Sequence, residues 1–249
     1  MSYYRQGPHR PGGPGVSLGV PSLTPVVRGI MIANGVVWLL QILFWQFQVD
    51  LAYFFGVTPA RVFRGWIWQP ATSMFLHDPR SLFHILFNML MLWMFGGELE
   101  RHWGSRAFLR FYLVCGVGAG LFATVMGLFS NASMITTTIG ASGAIFGVIM
   151  AYGLVFGDRT VLFMLIFPMK ARTMAWILFA LAFFYTLTSG PGSGISHVSH
   201  LGGAIVGYLY LRRAWRVGEF VGELKWKIRR RKFKIMPPDD TNDTDRWVN

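Results

Sequence analysis

Six apolar stretches separated by polar connections pattern the chain, at 26–48, 83–100, 107–129, 139–157, 171–189 and 197–213. Crossing bilayer hydrocarbon takes roughly 20 apolar residues as a helix, so each stretch is a candidate span. No alternation of apolar and polar positions marks a strand, and hydrocarbon offers no water to unpaired backbone groups. The pattern therefore predicts an all-α integral membrane protein built on six transmembrane helices. The apolar run 161–168, ending at Pro168, fits either an interfacial turn or an early start to the fifth span.

The polar segments extend this picture. Residues 1–24 are rich in Gly and Pro, lack the apolar core of a secretory signal, and are expected to be disordered. Arg101, Arg106, Arg159, Lys170 and Arg172 fall in alternate connections, whereas 130–138 and 190–196 carry no Lys or Arg, although the long first loop holds Arg61, Arg64 and Arg80. The positive-inside rule then predicts an even number of spans with both termini cytoplasmic. The first outer loop, 49–82, holds Tyr53, Phe54, Phe55, Phe63, Trp66 and Trp68, a composition suited to the headgroup level. Residues 215–234 gather Val217, Phe220, Val221, Leu224 and Ile228 on one face, predicting a basic amphipathic helix within a cytoplasmic tail, 214–249.

Composition agrees with a membrane setting. Only 14% of the 249 residues are charged, against about 25% in soluble domains. The net charge is +12, and basic residues cluster beside the last apolar stretch, in Arg212, Arg213, Arg216, Lys225, Lys227, Arg229, Arg230, Arg231, Lys232 and Lys234, where topology and anionic lipid explain them better than nucleic acid. The single Cys115 excludes an internal disulfide. With no organelle-targeting segment in evidence, a bacterial plasma membrane is the expected location.

Four polar side chains fall inside the apolar stretches at one shared depth. Ser142, His200, and the pair His84 and Asn88 each begin a span that runs from outside to inside. Ionisable groups in hydrocarbon are costly and mark functional sites. Ser142 sits in Gly140-Ala141-Ser142-Gly143, and His200 precedes Gly203 and Gly207. Gly143 and Gly147 form a matching small-residue pair, so the two helices can approach backbone to backbone and bring nucleophile and base together. Phe146, one turn beyond Ser142, is placed to orient His200. No carboxylate shares this depth, which predicts a Ser–His dyad. The Ser142 backbone N–H, the Asn88 amide and His84 are candidate donors to an oxyanion; Asn88 as interhelical glue and His84 as a core histidine are the structural alternatives. His197 is expected nearer the surface. Without an HExxH spacing, no metal or other cofactor is implied.

These motifs have a resemblance. His84-Ile-Leu-Phe-Asn88, Gly140-Ala-Ser142-Gly143 and Ser199-His200-Leu-Gly-Gly203-Ala-Ile-Val-Gly207 resemble the HxxxN, GxSG and AHxxGxxxG motifs of the rhomboid family of intramembrane serine proteases. Glu100-Arg-His-Trp-Gly104 is similar to the family's ExxxG, in which the Glu braces the inner end of the second span. The resemblance covers roughly residues 60–212. It implies a six-transmembrane-helix rhomboid-like bundle, Ser142 as nucleophile, His200 as general base, His84 and Asn88 at the oxyanion, and transmembrane segments of other proteins as substrates. Oligomeric state is left open. Three positions depart from the family pattern. Gln69 follows Trp68 where an Arg is usual, removing a charged anchor from the first loop; Ser199 replaces an Ala; and Phe146 stands where many relatives have Tyr. An inactive, helix-binding relative is the alternative function. A transporter is disfavoured by the lack of internal repeats and of buried acids along a pathway.

Overall fold

A computed structural model describes residues 22–163, 166–188 and 197–212. Six long helices organise them: α1 (Pro25–Gln46), α2 (Leu82–Trp103), α3 (Ser105–Met126), α4 (Ser142–Val155), α5 (Ala171–Thr188) and α6 (197–212). Four of these, α1, α2, α3 and α5, are long and apolar enough to cross a membrane. The expected N-terminal tail and C-terminal amphipathic helix lie outside the described residues.

Helix α4 is the centre of the bundle. It is apolar on all sides and buries ten of its fourteen residues, the pattern of a helix enclosed by others. By contrast, α1 exposes Ile32, Val36, Leu39, Leu40 and Leu43, a face suited to lipid. The expected span 139–157 is corrected at both ends. Gly140 has φ +123°, a left-handed backbone that no α-helix accommodates, so helix begins only at Ser142.

The run 161–168 is also corrected. Thr160–Phe163 pairs antiparallel with Phe167–Lys170, Leu162 facing Pro168, before α5 starts at Ala171. A two-stranded ribbon consists only of edges, so proline's missing N–H is tolerated there. Among the described residues, this is the one pair of strands in an otherwise helical structure.

Glycines set the helix spacing. A Cβ on Gly143 would lie 2.6 Å from that of Ala119, and one on Gly147 would lie 2.6 Å from Cys115 Sγ and 3.0 Å from the Gly203 carbonyl. A Cβ on Gly207 would come within 2.9 Å of Gly147 Cα, and one on Gly203 would collide with the Gly143 carbonyl. The contacts run 143 to 203 and 147 to 207, so α4 and α6 are parallel, in register and in backbone contact.

The end of α2 far from His84 is held by carboxylates. Buried Glu100 accepts from the Val26 and Val27 N–H groups, both at 3.0 Å, from Ser105 Oγ at 2.6 Å and from Thr24 Oγ1. One side chain thereby caps the first turn of α1 and ties it to the start of α3. Glu98 accepts from Tyr152 Oη at 2.6 Å and from both contacts of Arg159 at 2.8 Å, joining α2 to the end of α4.

The segment between α1 and α2 folds as short helices, Leu51–Phe55, Pro59–Val62 and Gln69–Thr72, and a 3-10 turn, Ser73–Phe75. Side chains take up the carbonyls that end the first of these: Arg61 holds Tyr53 O at 2.7 Å, Trp68 holds Phe54 O at 3.0 Å, and Thr72 holds Phe55 O at 2.7 Å. Trp66 stacks between Phe54 and Trp68, while Phe54, Phe63, Ile67 and Trp68 remain exposed. Further along, His77 is fully buried, with its N–H on Gln41 Oε1 at 2.8 Å and its ring centroid 5.0 Å from that of His84. Neither ring nitrogen makes a well-aligned hydrogen bond. Burial first, and His84 second, push His77 down to about 3, with the Phe75 backbone opposing.

Two outcomes follow from these contacts. Gly203→Ala should lower the unfolding midpoint in detergent, by about 1–3 kcal/mol of overpacking. Gly29→Ala, where a Cβ meets nothing within 4 Å, should be neutral or stabilising by up to about 1 kcal/mol. Equal effects would contradict the backbone contact. Acid provides the second measurement. His77 is neutral when folded but regains its ordinary value of 6.5 when unfolded, so the unfolded state binds more protons between those values. The stability is complete above pH 6.5 and falls as the pH drops toward 3, by up to about 1.4 kcal/mol per unit. Unfolding midpoints taken from pH 7 to 4 should fall less steeply in His77→Phe, and an unchanged slope would count against a buried neutral His77.

Candidate active site

The register of α4 and α6 decides what meets at their ends. Ser142 is the first residue of α4, one position before Gly143, and His200 lies in the first turn of α6, three before Gly203. Because those glycines touch, the two side chains are neighbours, and His200 Nε2 lies 2.8 Å from Ser142 Oγ. Phe146, one turn below the serine, stacks flat on the imidazole with ring centroids 4.3 Å apart and planes 5° apart. Phe146 and His200, which the spacing paired, are thus in contact. Among the described residues no carboxylate hydrogen-bonds His200. His197 stands one turn away, stacked on Tyr185 at 4.9 Å and edge-on to His200 at 6.0 Å.

Helix starts leave N–H groups without intrahelical partners. The first α4 bond runs from Ile145 N–H to Ala141 O, so the amides of Ser142, Gly143 and Ala144 crowd the positive end of the helix dipole beside Ser142 Oγ. Gly140 brings a second group close. A Cβ there would sit 2.9 Å from His84 Nε2 and 3.6 Å from Ser142 Oγ. Glycine is required at this position both for its φ and for the space the imidazole occupies.

The tautomer of His84 follows from its other nitrogen. The Asp78 N–H donates to His84 Nδ1 at 3.2 Å, so Nδ1 is the acceptor and Nε2 carries the proton. His84 thus presents an N–H toward the Gly140–Ser142 turn. Asn88 is more internally engaged than its spacing suggested. Its amide donates to the His84 carbonyl at 2.6 Å, within its own helix, which leaves one amide hydrogen for another acceptor. A narrow cleft beside the serine is lined by Ser73, Gly120, Thr138, Gly140, Ser142 and Ser199.

Several contributors escaped the sequence because they act through the backbone. The Asp78 amide sets the His84 tautomer, and the Ser73 carbonyl accepts from Gly140 N–H at 3.0 Å. Neither role has a residue-type signature. Glu100 lies sixteen residues from His84 along α2, some 24 Å at the helical rise, and so is remote from the serine.

Comparison with known proteins gives the family. The profile described as Rhomboid domain matches residues 64–216. Rhomboid protease AarA of Providencia stuartii is 32% identical over 57% of this chain and 54% of its own length. The YdcA protein of Bacillus subtilis is 29% identical over 75% of this chain and 87% of its own. Rhomboid protease GlpG of Yersinia pseudotuberculosis is 30% identical over 57% and 46%. The chain thus spans about half the length of AarA and of GlpG. With apolar membrane-length helices and a profile match across more than half of its residues, this chain is an integral membrane protein that belongs to the rhomboid family.

Proposed function

We propose that this protein is an intramembrane serine endopeptidase that cleaves transmembrane segments of other membrane proteins with a Ser142–His200 dyad. The observation that carries the reading is the 2.8 Å contact between His200 Nε2 and Ser142 Oγ, with the imidazole stacked on Phe146. His200 takes the hydroxyl proton as Ser142 Oγ attacks the scissile carbonyl, then returns it to the leaving amine. Water hydrolyses the resulting acyl-enzyme by the same proton relay. The developing oxyanion meets the α4 amides, His84 Nε2–H and the remaining Asn88 amide hydrogen. One such donor is worth roughly 2.7–4 kcal/mol in a serine protease. Stacking on Phe146 takes over the orienting task that a third, carboxylate member has in a triad.

All six long helices cross the membrane in this reading, with both termini cytoplasmic and the dyad near the outer surface. The short α4 then starts below that surface, and water and substrate reach Ser142 from the outer side.

Purified protein in lipid vesicles should cut a generic transmembrane reporter, and Ser142→Ala or His200→Ala should each abolish cleavage while the protein remains inserted. The two losses should not add, because the pair works as a unit. His197→Ala should be milder. Robust cutting by Ser142→Ala would sink the assignment, and an inert wild type that still binds the reporter would be the helix-binding relative instead. The position of the cut provides a separate measurement. A substrate helix must fray before its carbonyls can be attacked, which is easiest near its outer end and at helix-destabilising residues. Mass spectrometry of products from a panel of substrates should place cuts in the outer third, after small residues such as Ala. Cuts clustered at the cytoplasmic end would overturn the orientation.

A further inference from the structure

The loop between α1 and α2 does more than cover the bundle. Gln69 is fully buried, and its amide works at both ends. Oε1 accepts from the Thr58 N–H at 3.1 Å, and Nε2 faces the carbonyls of Tyr53 and Phe54 at 3.5 and 3.4 Å. Thr58 in turn shares a 2.8 Å hydroxyl contact with Thr137. Its neighbour Val57 forms an isolated antiparallel bridge with Thr138, with N–H to carbonyl distances of 2.9 and 2.7 Å. Gly56 completes the contact, since a Cβ there would lie 2.6 Å from Thr137 Cγ2 and 2.9 Å from Ile139 Cγ2. Residues 137–140 are the approach to the nucleophile.

The same turn reaches that approach a second time. Gln69 opens the short helix Gln69–Thr72, and Ser73 caps it. The Ser73 carbonyl holds the Gly140 N–H at 3.0 Å. Gln69 and Ser73 therefore grip segment 137–140 at its two ends, Gln69 through residue 58 and Ser73 directly. Between the grips and Ser142 lies the Gly140 turn, against which His84 packs.

We propose that Gln69 is a positioning residue for the nucleophile turn, acting through Thr58 and Thr137 to hold Gly140 and Ser142 in reactive register. This rests on Ser142 being the nucleophile. A neutral amide suits the position: it takes up the backbone donor of Thr58 and faces two carbonyls without bringing a charge into a fully buried site. Loss of the amide leaves the Thr58 N–H unpaired and frees the 57–58 strand to shift. Displacements of about 1 Å at a reacting group can cost on the order of a hundredfold in rate.

The test is covalent labelling of Ser142 by a fluorophosphonate probe, which reports nucleophile reactivity without a substrate helix. It is run on the full chain in detergent well below each variant's unfolding midpoint. Gln69→Met keeps the length and removes the amide; it should slow labelling about tenfold. Thr137→Val should slow it several-fold, and the double variant should be no slower than the worse single, because both cut one chain of contacts. Thr72→Val removes a hydrogen bond to Phe55 O in the same loop, outside that chain. It should lower the unfolding midpoint but leave the labelling rate unchanged. Gln69→Met or Thr137→Val labelling at the wild-type rate would overturn the proposal, as would Thr72→Val slowing labelling equally. Should Gln69→Met not fold, Thr137→Val against Thr72→Val decides alone. A wild type that does not label, or a Ser142→Ala that does, would overturn the nucleophile reading and this inference with it.

Discussion

Helices α4 and α6 lie close enough that main chain touches main chain, and most of what distinguishes this protein depends on that approach. Two helices spaced by Leu-sized side chains would stand 8–10 Å apart. A short serine side chain could not then reach an imidazole on its neighbour. Gly143, Gly147, Gly203 and Gly207 remove the intervening side chains. Their register also fixes which turn of α6 faces which turn of α4. The 2.8 Å pairing of Ser142 with His200 is the local consequence. In a lipid surround, where burial of apolar surface does not drive helices together, such close packing is also a principal source of cohesion.

Polar groups in this bundle are arranged around the same constraint. At one end, Glu100 gathers the orphan N–H groups that begin α1 and the Ser105 hydroxyl that begins α3. That fixes α1, α2 and α3 relative to one another far from the serine. At the other end, the start of α4 has no side-chain cap. Ser142, Gly143 and Ala144 line a narrow cleft there with Ser73, Gly140 and Ser199. A capping residue at the start of α4 would stabilise the helix and would occupy the donors that an oxyanion needs. The carboxylate contacts gather at one end of the bundle and the proposed reactive groups at the other.

The first loop shows how its short helices are anchored with a neutral amide at residue 69. Gln69 stands where the family resemblance led one to expect a guanidinium, and on that basis the loop was short of an anchor. The C-terminal carbonyls of Leu51–Phe55 are nevertheless taken up, by Arg61, Trp68, Thr72 and Gln69 together. The donors come from several positions in the loop, the Arg61 guanidinium among them, and not from residue 69 alone.

Much of this was legible in the residues. The apolar stretches located the helices within a few residues, because a membrane demands continuous apolar length and little else competes with that signal. Ser142, His200, Gly143, Gly147, Gly203, Gly207 and Phe146 could be paired in advance, since helical spacing fixes which side chains share a face and glycines announce close approach. The sequence did not determine where α4 begins, because apolar composition runs straight through Ile139, Gly140 and Ala141, and only the left-handed backbone of Gly140 stops the helix. The hairpin at 160–170 was hidden for a related reason: a short apolar run beside a proline is compatible with several backbones. Nor could the chain by itself reveal the Asp78 amide on His84, the Ser73 carbonyl on Gly140, or the link from Gln69 through Thr58 to Thr137. Backbone donors and acceptors belong to every residue alike. Which of them meet across distant parts of the chain is decided only by tertiary packing.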